Sequence, residues 1–339
     1  MKLKIGFPRA LFYYLYFPFW HAFFTELGFE VVRSEPTNKG SLDLGVKETV
    51  NDACLPVKIY HGHVAELKDK VDVLFLPRMV SVRKLESEVF CPKFLGLPDM
   101  IRNSIEGLPR IIDDKVDLSK GFCPLWRLSS RIARKLDKKG WAVEVAFFKA
   151  NKVQQRFSAY LVQGVPAQDA IDAVTGDRNP SPSSVNIPEP DVHLAILGYP
   201  YLIYDSFVNV GLLEKLAQMG IKAWTVEMVP PDRLEAQGKY LPKNLFWHFS
   251  NRTMRATFYY LKEHKVDGIV HVTAFGCGPD AMVDKLMELE AKAHKRMPFM
   301  TLSLDEHTGE AGILTRIEAF VDMLRLRRKG NEDFVSHHG

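Results

Sequence analysis

LKIGFPRALFYYLYFPFWHAFFTELGFEVV (residues 3–32) lies over LAILGYPYLIYDSFVNVGLLEKLAQMGIKAWTV (residues 194–226). Gly6 pairs with Gly198, Pro8 with Pro200 and Gly28 with Gly220, each 192 positions apart. A second match follows, because Lys70-Val71-Asp72-Val73-Leu74-Phe75 resembles Lys265-Val266-Asp267-Gly268-Ile269-Val270 at an offset of 195. An offset this constant marks one module used twice.

Each copy reads as strand, helix, strand, helix, strand. In the first, a strand over Lys2–Gly6 gives way to a helix that stops at Gly28, a glycine placed to close it. A strand over Phe29–Arg33, helical stretches around 40–50 and 54–68 and an apolar strand over Val71–Pro77 follow. In the second, the strands are Val192–Gly198, Ala223–Glu227, Gly268–Thr273 and Phe299–Leu304. Short apolar runs alternating with helical segments predict an α/β fold of two similar doubly wound parallel-sheet lobes. A cleft is expected between the lobes. The expected division is a first α/β lobe over 1–122, a helical connection over 123–174, a linker over 175–191, a second α/β lobe with a C-terminal helix over 192–329 and a flexible tail over 330–339. The linker TGDRNPSPSSVNIPEPD is rich in Pro, Ser, Asn and Gly, the composition of a loop.

The length of 339 residues suits two domains of roughly 100–200 residues. A net charge of +4 is too small to point to nucleic acid. No apolar run reaches the roughly 20 residues of a membrane span. The stretch from Phe7 to Phe24 comes nearest, but Arg9, Pro18 and His21 interrupt it, and it lacks the basic start and cleavage site of a signal peptide. A cytoplasmic protein is therefore expected, its four cysteines reduced and serving as core filler, metal ligands or reactive thiols.

In open parallel sheets, ligands sit beyond the carboxyl ends of the strands. Cys277, in FGCGPD, follows the strand Gly268–Thr273, and Gly276 and Gly278 allow a bulky ligand to approach the backbone. Cys91, in VFCPKFLGLPD, is its approximate counterpart in the first copy. Cys54, in NDACLPVKIYHGHV, sits at a helix start, a position that favours thiolate. Three thiolates suit a soft centre, either a [4Fe–4S] cluster with one open iron or zinc with an open position. The competing reading is three small buried hydrophobes, and no Cys-x-x-Cys pair argues against it. Cys123, in GFCPLW, lies outside the repeated core.

Asp305-Glu306-His307-Thr308-Gly309-Glu310 follows the last strand, again at a carboxyl edge. Glu306 and His307 are candidates for proton transfer, or else belong to a helix cap and its charged first turn. Cys54, Lys58 and His61 fall at i, i+4 and i+7 on one helix face, a candidate surface for phosphate groups, a substrate carboxylate or a partner; the alternative is a solvated face. Arg9, at a strand-end turn, is a candidate contact for an anionic ligand, and Thr37 and Asn38 for lining the cleft. His271, within an apolar strand, reads as a satisfied core histidine.

Together, GFPRALFYYLYFPFW, NDACLPVKIYHGHV, VFCPKFLGLPDMIRNSI, GYPYLIYDSFVN, FGCGPD and LDEHTGEAGILTRIEAFVDML resemble the acyl-CoA dehydratase activase-related proteins. These are relatives of the 2-hydroxyacyl-CoA dehydratase and benzoyl-CoA reductase cluster-binding subunits and of the double-cubane cluster proteins. The resemblance covers residues 1 to about 328. It implies two α/β lobes with an iron–sulfur cluster in the cleft and a separate ATP-dependent iron–sulfur activator that donates electrons. It also implies a homodimer or a heterodimer with a related subunit. On matching positions the implied cluster ligands are Cys54, Cys91 and Cys277, with Cys123 a possible fourth. A single [4Fe–4S] cluster is expected, because a double cubane needs more thiolates than this chain carries. The chain has no Walker-type phosphate loop, so the ATPase is expected to be another protein. The expected function is low-potential electron transfer, reductive dehydration or reduction of a small substrate, implied by the resemblance to be a CoA thioester. The rival readings are a non-catalytic scaffold or cluster-carrying partner subunit, and a bilobal small-molecule-binding or zinc protein.

Overall fold

The structure is a computed structural model that describes residues 2–82, 88–119, 123–176, 189–264, 266–294 and 297–336, without the side chains of 123 and 329–336. The first lobe opens with β1 (Lys4–Phe7), α1 (Tyr13–Glu26) and β2 (Glu30–Arg33), followed by α2 (Lys39–Lys47), α3 (Leu55–Leu67) and β3 (Val73–Phe75). Then come β4 (Arg78–Ser81), α4 (Pro92–Ser104), β5 (Arg110–Ile112) and β6 (Lys115–Asp117). Its four-stranded sheet is parallel, in the order β2-β1-β3-β5. A connection of α5 (Cys123–Lys135), α6 (Trp141–Val162) and α7 (Ala167–Thr175) follows, and Gly176 closes α7 in the left-handed region. Residues 177–188 of the expected linker lie outside the described residues.

The second lobe runs β7 (Val192–Gly198), α8 (Pro200–Ile203), α9 (Leu212–Gln218), β8 (Ile221–Trp224), α10 (Pro231–Ala236), α11 (His248–Lys262), β9 (Gly268–Ala274), α12 (Gly278–Ala293), β10 (Phe299–Leu304) and α13 (Glu310–Ser336). Its sheet is parallel in the order β8-β7-β9-β10. Substituting β7 for β1, β8 for β2, β9 for β3 and β10 for β5 turns one order into the other, so the repeat read from the sequence is a repeat of topology. The helix closures repeat as well: Gly28 has φ +87° and Gly220 has φ +75°. The three short strands β4, β5 and β6 were not anticipated, because three or four residues carry too little periodicity to register. The helix expected to end at 329 continues to Ser336.

The apolar character of α1 has a use. Phe17, Phe23, Phe24 and Tyr13 are buried, with the sheet on one side and α6 on the other. Each such side chain contributes about 1.5–3 kcal/mol on burial. Pro18 lies inside this helix and interrupts its backbone ladder. The side-chain amide of Gln154, from α6, fills the gap: its Oε1 accepts from the Phe19 N–H at 3.2 Å, and its Nε2 donates to the Leu15 carbonyl at 2.9 Å. One apolar core runs from Ile5 through Phe90, Phe94 and Tyr201 to Leu324, spanning both lobes.

Candidate functional site

Cys54, Cys91 and Cys277 occupy the same structural position three times. Each is the residue immediately before a helix: α3, α4 and α12 respectively. A proline in the first turn follows each of them, where its missing N–H costs nothing. All three thiols are free and half-buried, and they pack against the shared core. They are close enough that negative charge on Cys54 raises Cys91, and charge on Cys54 and Cys91 raises Cys277. Two of these thiols come from the first lobe and one from the second.

Their surroundings are apolar and aromatic. Tyr201 stacks among Phe94, Tyr199 and Phe249 with centroids at 6.1, 5.8 and 5.8 Å, and Phe90 meets Phe249 at 5.2 Å. Burial pushes Tyr201 far above the usual phenol range, and the Cys277 and Cys54 charges add to the shift. Burial also raises the Cys91 thiol. It pushes Cys277 up to about 12, with Asp280 adding to burial and the Asp280 N–H opposing it. At Cys91 and Cys277 the helix ends therefore do not by themselves make thiolates, because desolvation outweighs them. Coordination to a metal would supply the missing positive charge.

The backbone on either side of Cys277 is open. Gly276 takes a left-handed φ of +74°, and a Cβ on Gly276 or Gly278 would meet nothing within 4 Å. Among the described residues, no three His, Cys, Asp or Glu side chains form a group that could hold a metal ion. Three thiols are donors suited to a soft metal centre. Cys123 begins α5, and its side chain lies outside the described residues.

Lys58, one turn along α3 from Cys54, reaches across the cleft. Its Nζ lies 2.5 Å from Glu306 Oε1, and its side chain is only 5% exposed. That hydrogen bond holds the Glu306 carboxyl below its usual range. Beside this pair is a cavity of about 330 Å³ between the lobes. Leu42, Leu55 and Ile59 line it from the first lobe, Phe207, Val208 and Val210 from the second. Asp305, Glu306, Thr308 and Glu310 form its polar end.

The other anticipated residues are placed differently. Thr37 is buried and donates to Asp205 Oδ2 at 2.5 Å, so it ties the lobes together. Its single proton is thereby used, and it accepts from His63 Nε2 at 3.0 Å. Asp205 is buried, and burial raises its carboxyl. Asn38 caps α2 through the Ser41 N–H, the work its residue type does best. His61 is buried with Nδ1 at 2.8 Å from the Val57 carbonyl, and burial lowers its pKa. Arg9 lies over the Tyr13 ring at 5.7 Å. His307 is exposed, and its backbone N–H donates to Asp305.

Sequence reasoning missed Tyr201 and Asp205. Both lie in the GYPYLIYD stretch, whose position at the carboxyl end of β7 was the available signal.

Two families match this chain. The CoA enzyme activase uncharacterised domain matches residues 4–229, and the 2-hydroxyglutaryl-CoA dehydratase, D-component matches residues 220–324. A search of curated proteins gave no match.

Proposed function

The chain belongs to the family of the CoA enzyme activase uncharacterised domain, within the acyl-CoA dehydratase and activase-related superfamily with its CoA-related role, and from that premise we propose that it is a cytoplasmic iron–sulfur redox protein acting on a small CoA thioester. What supports this reading is that three free thiols, each at a helix start and drawn from two lobes, pack against one core and lie near enough to act on one another's charge. Cys54, Cys91 and Cys277 would hold a [4Fe–4S] cluster. Such a cluster, when bound, supplies one-electron chemistry and an iron without a protein ligand.

The chain's own residues do the rest. The aromatic cluster around Tyr201 excludes water and lowers the local dielectric, which sets potential. Lys58 and Glu306 hold a proton donor and an acceptor one helical turn from Cys54. The cavity beside them receives the acyl group. Electrons would come from a separate ATP-dependent iron–sulfur activator. α12 offers it a docking face: Met282, Leu286 and Leu289 are exposed at i, i+4 and i+7, and Phe275 is exposed two residues before Cys277.

Anaerobic purification tests the reading. We expect brown protein with about four iron and four sulfide per chain, lost in Cys277→Ala. Colourless protein that takes up no iron and sulfide under anaerobic reconstitution would overturn it.

A further inference from the structure

We infer that the cavity beside Cys54 selects an uncharged, apolar acyl chain and rejects an acyl chain that ends in a carboxylate. This rests on the CoA-thioester reading and goes beyond it by naming the acyl class.

The cavity walls decide the matter. At about 330 Å³ the space is that of a small-ligand pocket. Its walls are mainly aliphatic or aromatic on both sides of the cleft, with Leu42, Leu55 and Ile59 from the first lobe and Phe207, Val208 and Val210, beside Ser206, from the second. An alkyl chain placed there leaves water for hydrocarbon, and each buried methylene is favourable.

Among the described residues the cavity lining holds no Lys, Arg or His, and its neutral side-chain donors are the Ser206 and Thr308 hydroxyls. Glu306 is paired with Lys58 at 2.5 Å, and Glu310 with Lys215 at 2.6 Å. Asp305 already accepts from the Thr308 hydroxyl and the His307 N–H, each at 2.9 Å. The two ammonium groups that approach this end are therefore engaged, and the three carboxylates present a negative rim. A terminal carboxylate on the substrate would shed its water against three carboxylates, two of them already ion-paired, with no cation left to receive it. Desolvation without a partner and repulsion both oppose it. The family named for a 2-hydroxyglutaryl substrate matches residues 220–324, and all six of these apolar wall residues lie outside that match.

Valeryl-CoA and glutaryl-CoA have acyl chains of equal carbon count and differ in ending with a methyl or a carboxylate. Calorimetric titration of the anaerobically purified protein with each reads the difference directly. We expect valeryl-CoA to bind at least about tenfold more tightly, the scale at which a pocket discriminates by one small group. Phe207→Arg places a guanidinium at the half-exposed cavity edge, and there glutaryl-CoA should gain several-fold while valeryl-CoA loses. Equal or tighter binding of glutaryl-CoA by the unmodified protein overturns the acyl assignment and leaves the CoA reading intact. Failure of both thioesters to bind overturns the CoA reading, and the acyl assignment falls with it.

Discussion

At His271 burial and charge oppose one another. It lies in β9 with no exposed surface, and burial alone would keep its ring neutral. Asp280 and Asp284, on α12, reverse that outcome and push its pKa up to about 9. Its Nδ1 lies 2.7 Å from Asp284 Oδ1 and its Nε2 3.2 Å from Asp280 Oδ1. Both nitrogens donate only if the ring is an imidazolium. Unfolded, the same ring titrates near about 6.5. The folded pKa is the higher one, so the pairing stabilises the fold fully below about pH 6.5 and ceases to do so above about pH 9, a difference of about 3 kcal/mol at most. Thermal melting should show it. The melting temperature should fall between pH 6.5 and 9.5, and His271→Gln should flatten that fall. An equally steep fall in the variant would place the titration elsewhere. The sequence reading had His271 as a satisfied core histidine, which it is. The partners were hidden because a strand's apolar run does not say which helix covers it. The same holds for Lys58: its place beside Cys54 follows from helical spacing, whereas Glu306, 248 positions away, does not.

Elements here are held by a few backbone-level contacts that propensity does not reveal. α2 and α3 cross so closely that a methyl on Gly45 would run into the Lys58 carbonyl, and one on Gly62 into the Ser41 carbonyl. Two glycines thus fix the helix that presents Cys54 and Lys58, yet in sequence each looks like a weak point of a helix. α1 makes the converse case. Its apolar run and its closure at Gly28 were legible, but the means by which it tolerates Pro18 was not. That means is Gln154, 135 positions from Phe19, whose amide replaces the missing ladder step. Gln154→Leu keeps the bulk and leaves the Phe19 N–H and the Leu15 carbonyl without that amide. The cost should be about 1–3 kcal/mol in urea unfolding, the penalty of buried polar groups left unmade. Gln154→Glu retains an acceptor for Phe19 and should recover part of it. A Leu variant as stable as the parent would show that α1 bends to repair itself.

At the scale of the whole molecule, duplication suggests two lobes that fold independently, but the core argues otherwise. The apolar cluster that begins at Ile5 continues without a break to Leu324. Where the lobes meet, Phe90 and Phe94 of the first pack on Phe249 and Tyr201 of the second. Polar groups fasten the same boundary. Glu88 takes His248 Nδ1 at 2.6 Å and Asn251 Nδ2 at 2.9 Å, Thr37 holds Asp205, and Lys58 holds Glu306. Separation would expose to water the aromatic side chains that Phe90, Phe94, Tyr201 and Phe249 now bury, at about 1.5–3 kcal/mol for each, in a domain stable by only about 5–15 kcal/mol. The second lobe keeps a smaller cluster of its own, Ala195 to Met287, but the larger core is shared by both lobes, and the three thiols pack against that shared core. Cutting the chain within 177–188 tests this, because no described element crosses that stretch. Residues 1–176 and 189–339 produced separately should show no cooperative melt. Co-expressed with a tag on one half only, they should purify together and melt as one transition. Two halves that each melt cooperatively alone would show that the lobes are true domains and that the shared core assembles only afterwards.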